Sequence, residues 1–329
     1  MQKSEMGGSS SVSLPEYWAL AEDVRWFSGS ITALMFGRLA LDQVAYREVA
    51  AAVDRSGRFS ENFTDRGLRT AAFQCLMSFG DASDCDLYRK KLKEQHRAVR
   101  GSGKESFADT RYSALEPATW KWTAVSAINI VYQGYLRVCG RHLSDTEKEV
   151  VYQVLRSEFG HLDLPSRDGK LPATLAEMVR YYDDVAENKL ADNEFLQWAY
   201  RRIQSVPIPS LVFPARIHPT MQPLWQAVMC VAARPVAVLA AEASHPKMRE
   251  LLGIEWTRRD RAEYTIYLVI LRALWRWAPR RFVLEPLAHN RYRYEKIRDI
   301  YSSVLLESFG PATTEMTQPA TAGSATAHV

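Results

Sequence analysis

Apolar residues recur at three- and four-residue intervals through most of this chain, and that spacing limits the folds open to it. It is the repeat of an amphipathic α-helix, which places residues i, i+3, i+4 and i+7 on one face. Helical signals run from Tyr17 to Leu306, whereas alternating strand patterns bounded by hairpin turns are hard to find. The sequence therefore predicts an all-α protein, and no fixed-length repeat indicates a helical solenoid.

Capping signals mark where two of these helices begin. Ser144 with Glu147, and Thr174 with Glu177, form capping boxes in which each side chain satisfies a backbone N–H at the helix start. A longer helix is predicted over about 259–277. Its core face is predicted to contain Tyr264, Tyr267, Leu268, Leu271 and Trp275.

The segment 207–241 combines prolines with apolar residues. Five prolines between 207 and 223 predict an extended connection, either a hinge or pocket lid or a stiff linker between helical layers. The apolar stretch 223–241 is interrupted by Gln226, Arg234 and Pro235 before it reaches the ~20 residues that a bilayer crossing needs. It is predicted to form two buried helical pieces, and no membrane span is expected.

Composition excludes several classes of protein. Charged residues make up 24% of the chain and the formal net charge is +4, with dispersed basic residues, which argues against a nucleic-acid partner. The four cysteines lie far apart without a C-x-x-C pair, which argues against a zinc site or disulfide framework. This pattern and the absence of an apolar signal segment in the first residues predict a cytoplasmic protein.

The chain is long enough for one large domain or for two. With 329 residues and 47% hydrophobic content, a sizeable core can form. We predict a flexible segment over 1–15, one helical domain over 16–308 and a flexible tail over 309–329, rich in Ala, Thr, Gly and Pro.

His96 stands on the apolar side of a helix predicted over 87–101, with Gly101 at its end. It shares one stripe with Tyr88, Leu92 and Val99. An imidazole that faces apolar surface needs a partner. Two interpretations are open: a core histidine satisfied by a backbone carbonyl, or an axial ligand to a flat apolar cofactor such as haem.

A second helix is predicted over 65–77, just upstream. Two guanidinium groups and a hydroxyl lie there on one line with apolar neighbours. The line contains Arg66, Arg69, Thr70, Phe73 and Met77. It is either a solvated basic face or a pocket wall that holds a carboxylate, a haem propionate or bound oxygen.

Several runs, in order along the chain, carry a resemblance to a known family. They are Arg66-x-x-Arg69-Thr70 with Phe79-Gly80-Asp81, His96-x-x-Val99-Arg100-Gly101, Tyr112-Ser113-Ala114-Leu115-Glu116-Pro117 with Trp122, Leu143-Ser144 with Tyr152, Leu171-Pro172-Ala173-Thr174 with Tyr181, and Leu251-Leu252-Gly253-Ile254-Glu255-Trp256. From roughly Trp26 to Tyr294 the chain resembles the oxygenase family of the bacterial latex-clearing rubber oxygenases and the fungal oxygenase that cleaves a farnesyl chain in mycophenolic acid biosynthesis.

The resemblance implies a single globin-like helical domain with additional helices, a b-type haem with its iron, and activation of dioxygen against lipophilic substrates. In rubber oxygenases the proximal ligand lies in the motif that matches His96-x-x-x-Arg100, which implies His96 as the iron ligand and Arg100 as a cofactor-binding residue. Arg66 and Thr70 match polar residues on the other helix of the haem site. Arg69 takes the place of a lysine that can be the opposite axial ligand.

The chain departs from the family at two runs. Where many relatives have Ala-His-Pro, this chain has Ala45-Tyr46-Arg47. Where they have Trp-Val-His-Ala-Thr, it has Trp122-Thr123-Ala124-Val125-Ser126, which contains no histidine. If one of these histidines is the ligand that this branch of the family needs, their loss argues against haem binding here; if neither is, their loss indicates altered polar contacts and a different substrate or outcome. Tyr46 becomes a candidate pocket residue, because a phenol can donate a hydrogen bond to iron-bound oxygen.

The leading hypothesis is therefore a haem-dependent oxygenase that oxidises or oxidatively cleaves a lipophilic small molecule in specialised metabolism. Its candidate catalytic residues are Arg66, Arg69, Thr70 and Tyr46, and its candidate cofactor-binding residues are His96, Arg100 and Arg66. Dioxygen is the co-substrate, and the need for an electron donor is open. The alternatives are a haem- or ligand-binding protein without turnover and an enzyme of this fold that uses no haem.

Overall fold

The computed structural model describes residues 14–57, 63–202 and 206–309, and helices dominate these ranges, which confirms the all-α class. The described α-helices are α1 (Trp18–Ser28), α2 (Ile31–Leu34), α3 (Leu41–Ala45), α4 (Arg47–Ser56), α5 (Phe63–Phe79), α6 (Ala82–Arg97), α7 (Pro117–Val138), α8 (Asp145–Glu158), α9 (Leu175–Asn188), α10 (Glu194–Arg202), α11 (His218–Ala243), α12 (Pro246–Leu251), α13 (Arg258–Trp277), α14 (Arg280–Val283) and α15 (Pro286–Phe309). Strands β1 (Arg100–Ser102) and β2 (Arg111–Ser113) pair antiparallel, with Gly101 opposite Tyr112.

Helix α7 lies at the centre of the core. It is buried along most of its length and packs against α1, α2, α3, α8, α9 and α13. Pro117 suits its first turn, and the Glu116 carboxylate accepts a hydrogen bond of 2.8 Å from the backbone N–H of Ala118. A Cβ at Gly134 would lie 2.9 Å from the Phe36 ring, so glycine lets this ring contact the helix backbone.

The predicted helix starts are confirmed. Ser144 and Glu147 exchange the two hydrogen bonds of a capping box at 3.2 and 2.8 Å. The helix at Thr174 also starts as predicted, but its capping box is only half formed. The Thr174 side chain accepts from the Glu177 backbone N–H at 3.2 Å, whereas the Glu177 carboxylate accepts from the N–H of Ala173 instead of that of Thr174. The long helix α13 also forms where expected. Three of its predicted core residues are buried: Leu268, Leu271 and Trp275.

The predictions for 207–241 are wrong in part. The extended connection ends before His218, because α11 starts there and contains Pro219 and Pro223. A proline in the first turn loses no helical hydrogen bond, and Pro223 removes only one, so the helix continues. The two predicted buried pieces form one continuous helix that is largely exposed as far as Val231, with Leu224 60% and Val231 76% exposed.

The stretch Ala215–Ala243 has the length and apolar composition of a membrane-spanning helix, with 17% of its most apolar window buried. Core helices and signal sequences meet the same criteria. The expectation that the chain has no membrane span therefore stays a prediction.

The fold divides into two units. The first extends to His289 and contains the core around α7, and the second begins at Asn290 within α15. The predicted flexible segments 1–15 and 309–329 lie almost entirely outside the described residues. The globin-like arrangement that the resemblance implies also stays a prediction.

Candidate functional site

Helices α5 and α6 form an antiparallel hairpin that carries most of the predicted site residues. The chain reverses at Gly80, whose N–H donates to the Leu76 carbonyl at 2.9 Å. A Cβ at Gly80 would lie 2.4 Å from that carbonyl oxygen, so the close turn requires glycine. The Cys85 thiol contacts the Leu76 and Met77 carbonyls at 3.5 Å and ties the two helices together.

The second helix of this hairpin is shorter and less covered than the sequence predicts. Helix α6 ends at Arg97, where the N–H of Val99 turns back to the His96 carbonyl, and Gly101 belongs to β1. Val99 is 37% exposed, so the predicted stripe loses its last member. None of the residues of α6 is buried, and Tyr88 and Leu92 are only half-buried, so protein covers little of this apolar face.

His96 is held in the state that a metal ligand requires. Its Nδ1 lies 2.8 Å from the Leu92 carbonyl oxygen, which is the backbone partner that the core-histidine interpretation expects and is equally compatible with a ligand at Nε2. Because a carbonyl only accepts, Nδ1 must carry the proton, and in the neutral ring Nε2 then keeps its lone pair. The Trp120 ring packs edge-on against the imidazole, with ring centroids 5.3 Å apart.

The electrostatic surroundings of His96 favour the same neutral state. Burial lowers the pKa of His96, the Leu92 carbonyl raises it in part, and the positive charge of Arg66 lowers it further. Imidazolium has no lone pair to donate to iron. A pKa below the ordinary value therefore keeps His96 competent as a ligand at neutral pH.

The three predicted site residues of α5, which are Arg66, Arg69 and Thr70, are exposed. Arg66 acts electrostatically on His96, so the hairpin brings these two predicted site residues together. The side chain of Arg69 is exposed. The Thr70 hydroxyl is exposed as well and donates to the Arg66 carbonyl at 3.0 Å, one turn earlier in the helix.

The proline-containing segment is anchored at the start of α5. The Thr64 hydroxyl donates to the Pro207 carbonyl at 2.6 Å, and the Asp65 carboxylate accepts from the Leu211 N–H at 3.0 Å. Thr64 and Asp65 lie in the first turn of α5. They also fasten this connection to the helix that carries Arg66.

Tyr46 and Arg100 lie in different surroundings. Tyr46 is 7% exposed and stacks on Trp122 at 6.3 Å between ring centroids, and burial raises the pKa of its phenol. The structure thus places Tyr46 in the core around α7, and none of its described contacts is with His96. Arg100 is exposed at the first position of β1, opposite Ser113. The functional roles of both residues stay predictions.

Two neighbours of the hairpin were missed from the sequence. The Trp120 indole N–H donates to the Leu162 carbonyl, which holds the ring against His96. His161, in the 3₁₀ turn Gly160–Leu162, donates from Nδ1 to the Glu158 carbonyl at 2.9 Å. Its Nε2 is buried, without a hydrogen-bond partner among the described residues, and its ring contacts Phe73 of α5 at 5.8 Å. A lone histidine in a short turn gives no periodic signal.

The residues of the hairpin fit a haem group. A haem iron takes four ligands from its porphyrin, so the protein needs to supply a single axial imidazole, which His96 can do. No three His, Cys, Asp or Glu side chains gather as a metal site among the described residues. Arg69 cannot be an axial ligand, because a guanidinium stays protonated and has no free lone pair.

Comparison with known proteins agrees with the sequence resemblance. The family model described as "ER-bound oxygenase mpaB/B'/Rubber oxygenase, catalytic domain" matches residues 25–278, which include the whole hairpin. No curated protein and no solved structure gives a significant match. Because the match covers well over half of the chain, the protein belongs to the mpaB and rubber oxygenase catalytic-domain family, a family of oxygenases.

Proposed function

We propose that this protein is a haem-dependent oxygenase that oxidises or oxidatively cleaves a lipophilic small molecule in specialised metabolism. The observation that carries the proposal is His96 itself: a half-buried imidazole whose Nδ1 is bound to a backbone carbonyl, leaving the Nε2 lone pair for iron. Family membership supplies the oxygenase class. Bound haem supplies the iron centre that activates dioxygen.

The chain's own residues would hold and tune this centre. The Leu92 carbonyl fixes the tautomer of His96 and increases the basicity of Nε2, while Trp120 restricts rotation of the ring. Arg66 places positive charge beside His96 and is suited to an anionic group such as a propionate. Arg69 and Thr70 would contribute polar contacts on the same side of α5.

A lipophilic substrate follows from the character of the hairpin. Tyr88, Leu92 and His96 share one face of α6, and all three side chains are half-buried. Ligand sites commonly combine such an apolar lining with a few fixed polar contacts. The four free cysteines agree with a reducing compartment, and we infer a cytoplasmic location.

The first test is an absorption spectrum of the full chain in ferric and dithionite-reduced forms. Wild-type protein should purify red with a Soret band, and His96→Ala should lose most of its haem with an unchanged far-ultraviolet circular dichroism spectrum. His142→Ala, which removes an exposed loop histidine, is the matched control and should keep its haem. A wild-type haem content in His96→Ala would refute the assignment.

A carrier or sensor without turnover is the second candidate. It is favoured by one observation: Tyr46, where many relatives have a histidine, lies buried against Trp122. Oxygen consumption with lipophilic candidates, with and without an electron donor, separates the two functions. A red protein that binds such compounds without consuming oxygen would be a carrier.

A further inference from the structure

Helix α13 has two apolar faces. One is buried against the rest of the first unit, and the other is exposed. The inward face consists of Leu268, Leu271 and Trp275. The opposite face carries Ile266, Val269, Ile270 and Trp277, which are 56%, 58%, 49% and 76% exposed. We call these four residues the α13 stripe. Spacings of three, four, seven and eight residues align them on one side, whereas a surface helix usually has a polar outer face.

The stripe is bordered by arginine. Between 258 and 282 the chain has seven arginines against two acids, Asp260 and Glu263. Both acids bind Arg234 of α11, at 2.5 and 2.6 Å, and Glu263 also pairs with Arg259 at 2.6 Å. Arg280 pairs with Asp23 at 3.7 Å, so these ion pairs leave the border with an excess of positive charge. Arg276 next to Trp277, and Arg281 beyond it, are exposed. Arg281 lies 4.6 Å from the ring of Phe282, which is itself 59% exposed.

We propose that the α13 stripe docks on an anionic membrane surface, with the helix lying in the plane of the lipid headgroups. Aliphatic side chains and a tryptophan enter the headgroup boundary, while arginines reach the lipid phosphates and carboxylates; this combination is typical of interfacial helices. The proposal is independent of haem. It also places an enzyme for lipophilic substrates beside the phase in which such molecules dissolve.

Charge disfavours a second copy of the chain as the occupant of the stripe. A second copy bound through the same face would bring the arginine borders of both copies together, because a two-fold contact is self-complementary.

Vesicle sedimentation of the full chain tests the proposal. Wild-type protein should bind phosphatidylcholine vesicles that contain phosphatidylserine, bind pure phosphatidylcholine more weakly, and release as salt screens the charges. Each of Ile266→Gln and Ile270→Gln should lower the partition coefficient about tenfold. Each of Arg276→Gln and Arg281→Gln should lower it about fivefold, on anionic vesicles only.

Val179→Gln is the matched control, because Val179 is a 42% exposed apolar residue on α9, outside the stripe. It should bind vesicles like wild type. Equal binding by the stripe variants and wild type would refute the proposal. So would wild-type protein that ignores vesicles but dimerises in analytical ultracentrifugation, with Ile266→Gln monomeric, because the stripe would then bind a second copy. Unchanged thermal unfolding shows that the variants are folded.

Discussion

Replacing Asp42 with asparagine should make the protein more stable at neutral and alkaline pH. Asp42 of α3 is 2% exposed, and its carboxylate accepts a hydrogen bond from the hydroxyl of Tyr182 on α9. Burial raises the pKa of Asp42 to about 7, although the hydrogen bonds from Tyr182 and the backbone oppose the change. The folded protein therefore holds a proton that the unfolded chain has already released.

The size and direction of the effect follow from this difference in pKa. The ordinary value is 3.8 and the folded value is about 7, just over three pKa units. At about 1.4 kcal/mol per unit, the difference corresponds to roughly 4 kcal/mol of unfolding free energy. This stability is fully present below the unfolded pKa and is lost as the pH rises through the folded pKa. Asparagine does not titrate, and its amide oxygen still accepts from Tyr182.

Urea unfolding tests this prediction when it is followed by far-ultraviolet circular dichroism and repeated from below pH 3.8 to above pH 7. The two proteins should have similar unfolding free energies in acid, and Asp42→Asn should become more stable by up to ~4 kcal/mol above neutrality. Burial also raises the pKa of Glu158 to about 7, but this group is present in both proteins and cancels in the comparison. A stability difference that does not change with pH would refute the reasoning.

Two further predictions concern the haem site. Haem should be retained as the pH falls below 6.5, the ordinary pKa of histidine, because burial lowers the pKa of His96. Loss of the Soret band at a pH above 6.5 would show that haem is released too early and would contradict this prediction. The resting ferric haem should be five-coordinate or hold a weakly bound water, because Arg69 offers no lone pair. A low-spin electron paramagnetic resonance signal with a second nitrogen ligand would contradict this, and His161→Leu would then show whether His161 is that ligand.

The helices that the sequence predicts best are those whose signals are local. The Ser144 capping box acts within four residues, and the core face of α13 repeats within one helix. The end of α6 depends instead on a distant partner, because Arg100 leaves the helix to pair with Ser113. The positions of Trp120 and His161 beside the hairpin likewise depend on packing between elements far apart in sequence.

Periodicity also identifies which residues share a face without identifying what covers it. The stripe through Leu92 and His96 was expected to face apolar surroundings, yet no residue of α6 is buried by protein. The stripe of Ile266 and Trp277 on α13 is uncovered in the same way. The polar groups at each face distinguish them: an imidazole with a free lone pair suits a metal cofactor, whereas a border of arginines suits anionic headgroups. The chemistry beside an uncovered face, more than its hydrophobicity, therefore indicates what it binds.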